Sequence, residues 1–234
     1  MPRRPPPPSL ATQSVQRRAR ASPERIAGLA LRRALSVRDR PALANVAFDG
    51  ETVTVVRQLV LPTIAQFGVT LRPWQLADVP GLSEACGDEQ IMRFTTVPRV
   101  FTRDAATDWI DRQGRRAESG TAIVLAIVDA GEPFPIGMVG LFGLDRAVDS
   151  ARLGYWLVKD ARGRGIAVIA ARGLTDWAFE RLGLKQVVID REASNIASAR
   201  VAQKLGAIET GAHIVEYRGA EVHFIRHVLE RPRD

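Results

Sequence analysis

Apolar and polar positions follow two regimes along this chain. Residues 1–23 are rich in Pro, Arg and Ser, with four consecutive prolines at Pro5–Pro8, a pattern that resists helix and sheet and predicts an extended, solvated arm. Residues 24–35 place Ile26, Leu29, Ala30 and Leu35 at roughly helical spacing, fringed by Arg25, Arg32 and Arg33, which predicts a short basic amphipathic helix. Within residues 46–67 a hairpin turned at Asp49-Gly50 is expected.

From Val69 the pattern becomes regular. Val69–Trp74 reads as a strand, and a short helix opens at Asp78 and runs through Ala85. Thr102 or Asp104 can cap a helix that contains Trp109 and Ile110 and ends before Gly120. Strands follow at Ile123–Val128, Ile136–Leu144 and Leu153–Val158. A helix over about Gly165–Leu182 puts Ile166, Ile169, Ala170, Leu174 and Trp177 on one side, with Gly183 as its stop. The strand Gln186–Asp190 precedes a helix from Asn195 to Leu205, stopped by Gly206. Two strands, His213–Tyr217 and Val222–Leu229, join at Arg218-Gly219 and close the chain. The order β-α-α-β-β-β-α-β-α-β-β predicts an α/β or α+β sheet with helices on its faces.

Composition narrows the class. Apolar residues are 46% and charged residues 25% of 234, enough for a sizeable core. No apolar run approaches the roughly 18–20 residues of a membrane span. A single cysteine, Cys86, excludes an internal disulfide framework and a cysteine-based zinc site, and the three histidines all follow residue 210. No metal is expected, and a reducing, cytoplasmic setting fits. The net charge of +7 resolves by segment. Residues 1–40 hold ten arginines and two acids, +8, whereas the rest holds 23 bases and 24 acids, −1. The basicity therefore belongs to the arm. There the first reading is a marginal helix without function; contact with nucleic acid, a ribosome or a membrane surface, an organelle-targeting role and a mis-called start are the alternatives.

The chemistry concentrates between Leu153 and Leu205. After the strand comes Arg162-Gly163-Arg164-Gly165-Ile166-Ala167, then a helix. Glycines let backbone approach a ligand, the first helical turn offers free N–H groups, and the helix dipole favours an anion. Arg162 and Arg164 add positive charge, so the loop asks for a polyphosphate. The nucleoside-triphosphate loop fails because no Lys follows the glycines. The dinucleotide fingerprint would need glycine at Val168, although Asp190 does end the next strand; it stays open beside a plain glycine-rich turn. The pattern [QR]-x-x-G-x-[GA] matches at every fixed position.

These residues resemble the GNAT superfamily of acetyl-coenzyme-A-dependent N-acetyltransferases, in particular the branch that acetylates N-termini of ribosomal proteins. The resemblance is carried by Gly154–Val158, the Arg162–Ala167 loop, Thr175–Leu184, and Asn195 and Ser198 ahead of Lys204-Leu205-Gly206. Thr70–Trp74, Asp88–Phe94 and Trp109-Ile110 support it. It covers about residues 68–230. It implies a mixed central sheet of about seven strands flanked by about four helices over residues 68–231, behind a largely disordered arm over 1–67.

The resemblance also implies roles. Backbone groups of Trp156, Leu157 and Val158 would pair with the pantetheine arm of acetyl-CoA. Amides from Arg162 to Ala167, through Gly163, Arg164, Gly165 and Ile166, would hold the pyrophosphate. Asn195 and Ser198 would face the thiol end; a helix cap is the alternative reading, and both can hold. Two glutamates usual in this branch fall here at Arg152 and Ala170, so the usual base is missing. Tyr217 is a candidate general acid, and His223 and His227, at i and i+4 of one strand, are candidate bases. Asp145 and Asp149 read as turn residues, and Cys86 as a buried apolar residue rather than a nucleophile. Met92–Phe101, with Arg93, Phe94, Arg99 and Phe101, is expected to line the acceptor site.

The function expected is acetyl transfer to a primary amine, either a protein N-terminus or a low-pKa small molecule, within a ternary complex of a monomer or homodimer. A non-catalytic acyl-CoA sensor of the same fold is the alternative.

Overall fold

The computed structural model describes residues 42–48, 53–145, 147–217 and 219–233. The helix expected at 24–35 and the turn at Asp49-Gly50 lie outside the described residues. Strands β1 (Ala42–Phe48) and β2 (Val53–Leu59) form a two-stranded sheet of their own.

The elements from β3 onward belong to the unit that includes Arg57–Asp234. In chain order they are β3 (Ile64–Gln66), β4 (Val69–Pro73), α1 (Leu82–Gly87), α2 (Glu89–Phe94), α3 (Arg103–Glu118), β5 (Ala122–Asp129), β6 (Gly137–Asp145), β7 (Ser150–Leu157), α4 (Ile166–Trp177), β8 (Gln186–Glu192), α5 (Ile196–Leu205), β9 (Ile208–Tyr217) and β10 (Ala220–Glu230). Eight of the strands form one sheet in the order β3-β4-β5-β6-β7-β8-β10-β9. The eighth strand, β3, turns into β4 at Phe67-Gly68, both at positive φ (49° and 80°), the geometry of a tight hairpin turn.

The central strands β5 and β6 are apolar without alternation because both faces of the sheet are covered. Ile123, Leu125, Ile127 and Leu141 are fully buried. On one face, Trp74, Trp109 of α3 and Trp156 of β7 pack together, with ring centroids 5.0 and 6.2 Å apart.

Asp78 sits in a 3₁₀ turn, Leu76–Gly81, that precedes α1 rather than opening a helix itself. Pro80 keeps that turn short. The Asp78 carboxylate accepts two hydrogen bonds from Arg72 of β4, at 2.7 and 2.8 Å, and one from the Gln75 amide. The expected helix up to Leu182 is α-helical to Trp177 and then a π turn, Ala178–Leu182, ended by Gly183 at φ 69°.

All neighbours in the large sheet are antiparallel except β7 and β8. That parallel pair touches only over Ser150–Arg152 and Gln186–Val188. Beyond Arg152 and Val188 the two strands part, and the sheet opens between them.

Candidate active site

The opening exposes one edge of β7. Val158 N donates to Ile136 O at 2.9 Å, so the pairs Met138–Trp156 and Gly140–Gly154 are the hydrogen-bonded ones. Backbone direction alternates, so Trp156 and Val158 turn their N–H groups toward β6 and away from the opening. Tyr155 and Leu157 turn theirs into it. Of the three residues expected to pair there, Leu157 turns its N–H into the opening and Trp156 and Val158 do not, whereas Tyr155, outside that expectation, does. The N–H groups on this edge meet no strand partner among the described residues, although Leu157 O accepts from Arg162, so the edge can take an amide-bearing chain as a further strand.

The edge leads into the glycine loop. Gly163 (φ 78°) and Gly165 (φ 81°) are left-handed, which is why glycine stands at both. Val168 and Ile169 both donate to Gly165 O at the start of α4. Among the described residues, none accepts a hydrogen bond from the amides of Gly163 to Ala167. These amides form a concave set of donors at the positive end of a 12-residue helix. Edge and loop together suit a ligand that carries both amides and a pyrophosphate.

The arginines of the loop are not free cations, contrary to expectation. The Arg162 amide donates to Lys159 O at 3.2 Å, so it is not one of the cradle donors. Arg162 Nε donates to Leu157 O (3.0 Å), Nη1 to Gln90 Oε1 (3.0 Å) and Nη2 to Asp88 Oδ2 (2.7 Å). Arg162 thus ties the loop to the start of α2, which Asp88 also caps through Gln90 N and Ile91 N. Arg164 Nη2 pairs with Asp129 Oδ2 at 2.6 Å, at the end of β5.

Burial pushes the Asp88 carboxyl up, but the Arg162 guanidinium and the two capping amides outweigh it and hold the group below the usual aspartate range. A depressed folded value contributes stability above the unfolded pKa of about 3.9, and that stability is lost as pH falls through the folded value. Asp88→Asn is therefore expected to lower stability at neutral pH and to flatten the decline below about pH 4. Urea midpoints across pH test this; a variant that keeps the wild-type acid limb would show that the pair contributes nothing.

Three elements meet over the opening. Asn195 caps α5 by accepting from Ser198 N at 3.0 Å, so the cap reading of Asn195 is realised. The Ser198 Oγ lies 2.9 Å from the Tyr155 hydroxyl. Burial is the main cause that pushes the Tyr155 phenol up to about 12, against Ser198 and the charge of Arg191. Tyr155 carried no sequence signal of its own; its partner is 43 residues away.

Beside the opening lies a cleft of about 810 Å³ between α2, the end of β8 and the start of β10. Its titratable lining is Glu89, Arg93, Arg99, Glu192, Glu221 and His223. Arg93 Nη2 binds Glu192 Oε1 at 2.5 Å, and its guanidinium stands 5.1 Å over the Phe94 ring. The Ser194 hydroxyl also donates to Glu192 Oε1. That hydroxyl and then Arg93, against the effect of burial, hold the Glu192 carboxyl below the usual range. Arg93 and Arg99, two of the residues expected at an acceptor site, line this cleft. Phe94 lies under Arg93, and Phe101, 38% exposed, lies outside the cleft lining.

The other candidates separate. Tyr217 ends β9, and its side chain lies outside the described residues. His223 lines the cleft, whereas His227 is buried with Nε2 3.8 Å from Glu209 Oε2. Asp149 is a structural turn residue rather than a simply solvated one. Its carbonyl accepts from Lys185 N and its carboxylate pairs with Lys185, at the closed end of the β7–β8 pair. Cys86 is buried, and burial pushes its thiol up, which suits no nucleophile. Arg152 is exposed and Ala170 is in the core.

The sequence profile described as Acetyltransferase (GNAT) domain matches residues 69–208. A Bacillus subtilis (strain 168) protein named ribosomal N-acetyltransferase YdaF is 39% identical over 75 residues, 32% of this chain and 41% of that protein. The N-acetyltransferase YjcK of the same strain is 31% identical over 112 residues, 47% of this chain and 62% of its own length. The chain thus spans less than two thirds of either relative. RimJ of Mycobacterium smegmatis, solved in complex with CoA-disulfide, shares the fold at a TM-score of 0.61 and 20% identity, over 69% of this chain and 81% of that one.

Proposed function

Because this chain belongs to the GNAT acetyltransferase family, we propose that it transfers the acetyl group of acetyl-CoA to a primary amine of low pKa, such as a protein N-terminus. The observation that carries this reading is the open β7 edge followed, after the short turn Lys159–Ala161, by the left-handed glycine loop at the start of α4. When bound, acetyl-CoA supplies the activated acetyl thioester. Tyr155 and Leu157 hold the pantetheine by strand-like pairing, and the amides of Gly163 to Ala167 hold the pyrophosphate. The unpaired β7 amides are preorganised to stabilise charge that develops on the carbonyl oxygen. Asn195 fixes the first turn of α5, which sets Ser198 and Tyr155 over the reacting end.

The cleft beside the opening serves as the acceptor site. Residues Ala220–Val222 of β10 run past the end of β8, so that edge is free to align an extended peptide. Glu192 is held ionised by Ser194 and Arg93, so it suits an anchor for a cationic group better than a base.

That point shapes the acceptor. At pH 7 an α-amino group of pKa about 7.8 is roughly 14% neutral, and a lysine of pKa about 10.4 roughly 0.04% neutral. The ratio of about 350 corresponds to about 3.5 kcal/mol of deprotonation that an enzyme without a poised base does not supply. We expect an α-amino peptide to be acetylated faster than its N-blocked, lysine-bearing counterpart, with the rate rising toward the acceptor's own pKa. Thiol release from acetyl-CoA measures this. Faster acetylation of the lysine peptide at pH 7 would refute the low-pKa assignment and point to His223 as a base. A second reading, a non-catalytic acyl-CoA sensor, rests on Arg152 and Ala170 standing where the family places glutamates. It requires acetyl-CoA binding with no thiol release toward any amine.

A further inference from the structure

Among the described residues Arg191 is a buried cation without an anion. It stands on β8, is 9% exposed, and pairs with no carboxylate among the described residues. Its Nη1 donates to the main-chain oxygens of Glu192 (3.3 Å) and Ala193 (3.1 Å), and its buried Nε has no acceptor. An interior guanidinium left this way is costly, and proteins normally pair it.

Its position suggests a reason. The last residues that β7 and β8 pair are Arg152 and Val188. Tyr155 and Arg191 each lie three residues further on, so they flank the opening at the same height and on the same side of the sheet. Tyr155 meets Ser198 of α5 there, and the charge of Arg191 is close enough to act on the phenol. The N-terminus of the ten-residue helix α5, where Asn195 caps the Ser198 amide, adds the positive end of its dipole. Two positive features thus converge on the opening, and no described side chain offers either a negative charge.

We propose that Arg191 stabilises the departing thiolate of coenzyme A. The proposal rests on the acetyltransferase reading above. In the transfer the amine nitrogen bonds to the acetyl carbon, and the carbon–sulfur bond breaks with both electrons remaining on sulfur. The proton shed by the nitrogen passes to water. The sulfur anion then forms with the guanidinium the ion pair that the free protein lacks. Tyr155 and Ser198 hold hydroxyls on the same side and can donate hydrogen bonds to that sulfur.

Coenzyme A itself is the probe. A nearby cation lowers a thiol pKa. Bound to the wild-type protein, the thiol is expected to ionise about one unit or more below its own value in water, read as thiolate ultraviolet absorbance across pH. Arg191→Gln should remove most of the shift and Arg191→Lys should retain more of it. Desulfo-coenzyme A, which lacks the sulfur, should bind wild type and Arg191→Gln within about twofold. That is the arithmetic of a contact made to the thiolate alone. A thiol that ionises on wild-type protein as it does in water overturns the proposal without any variant. So does a lowered value that Arg191→Gln leaves undiminished. Failure of both coenzyme A and its desulfo analogue to bind would overturn the acetyltransferase reading, and the proposal with it.

Discussion

Gly165→Asp is expected to remove most acetyl-CoA binding while leaving the fold in place. Gly165 sits at the N-cap of α4 with φ 81°, and a Cβ there meets no atom within 4 Å. The new carboxylate therefore projects into open space in front of the free amides, where the pyrophosphate is proposed to lie. It occupies the donors and repels the phosphates. The loss of charge-assisted contacts plus the repulsion amounts to about 2–4 kcal/mol, or roughly a 30- to 1000-fold weaker dissociation constant. Stability should change little, because a carboxylate at a helix start gains about 0.3–1 kcal/mol from the dipole, which offsets much of the strain of a left-handed Asp. Gly165→Asn is the control. It tolerates the same backbone conformation without the charge, so it should bind more tightly than the Asp variant. Calorimetry decides the matter. If Gly165→Asp binds like wild type, the loop is not the phosphate site.

The second large effect is on stability. Gly137 opens β6 directly opposite Leu157. A Cβ at this position would stand 2.4 Å from Trp156 O, 2.6 Å from Leu157 Cδ2 and 3.3 Å from Leu157 Cα. Two of these atoms are backbone, so no rotamer change relieves the overlap. Gly137→Val is expected to cost about 3 kcal/mol, which for a chain of this size lowers Tm by roughly 6–12 °C. It should also weaken acetyl-CoA binding, because the strand that must move presents the Leu157 amide to the opening. Gly114, inside α3, is the contrasting case. Nothing lies within 4 Å of its added Cβ, and Gly114→Ala should raise stability by about 0.5–1 kcal/mol through helix propensity and chain entropy. Thermal denaturation of the two variants should show shifts of opposite sign. A Gly137→Val protein that melts with wild type would contradict the close approach.

Local signals in the sequence determined much of this protein. Apolar runs marked β5 and the first half of β6, because strand segments covered on both faces carry no alternation to misread. Gly183 and Gly206 marked helix ends, since left-handed caps favour glycine. The glycine loop and the Asn195 cap were legible for the same reason, as each is decided by φ, ψ and hydrogen bonds within a few residues. The hairpin at Phe67-Gly68 was not, because Phe is an uncommon residue at positive φ. Tertiary structure alone decided which way each backbone amide of β7 points. That parity follows from the register with β6, set where Val158 bonds Ile136, and a one-residue slip would reverse it. It alone decided that Arg162 and Arg164 serve as ties to Asp88 and Asp129 rather than as free phosphate ligands. It also brought Arg93 to Glu192, 99 residues away, and set Tyr155 against Ser198 beside Arg191, which meets no carboxylate among the described residues. Such contacts join residues far apart in the chain, so no local pattern records them.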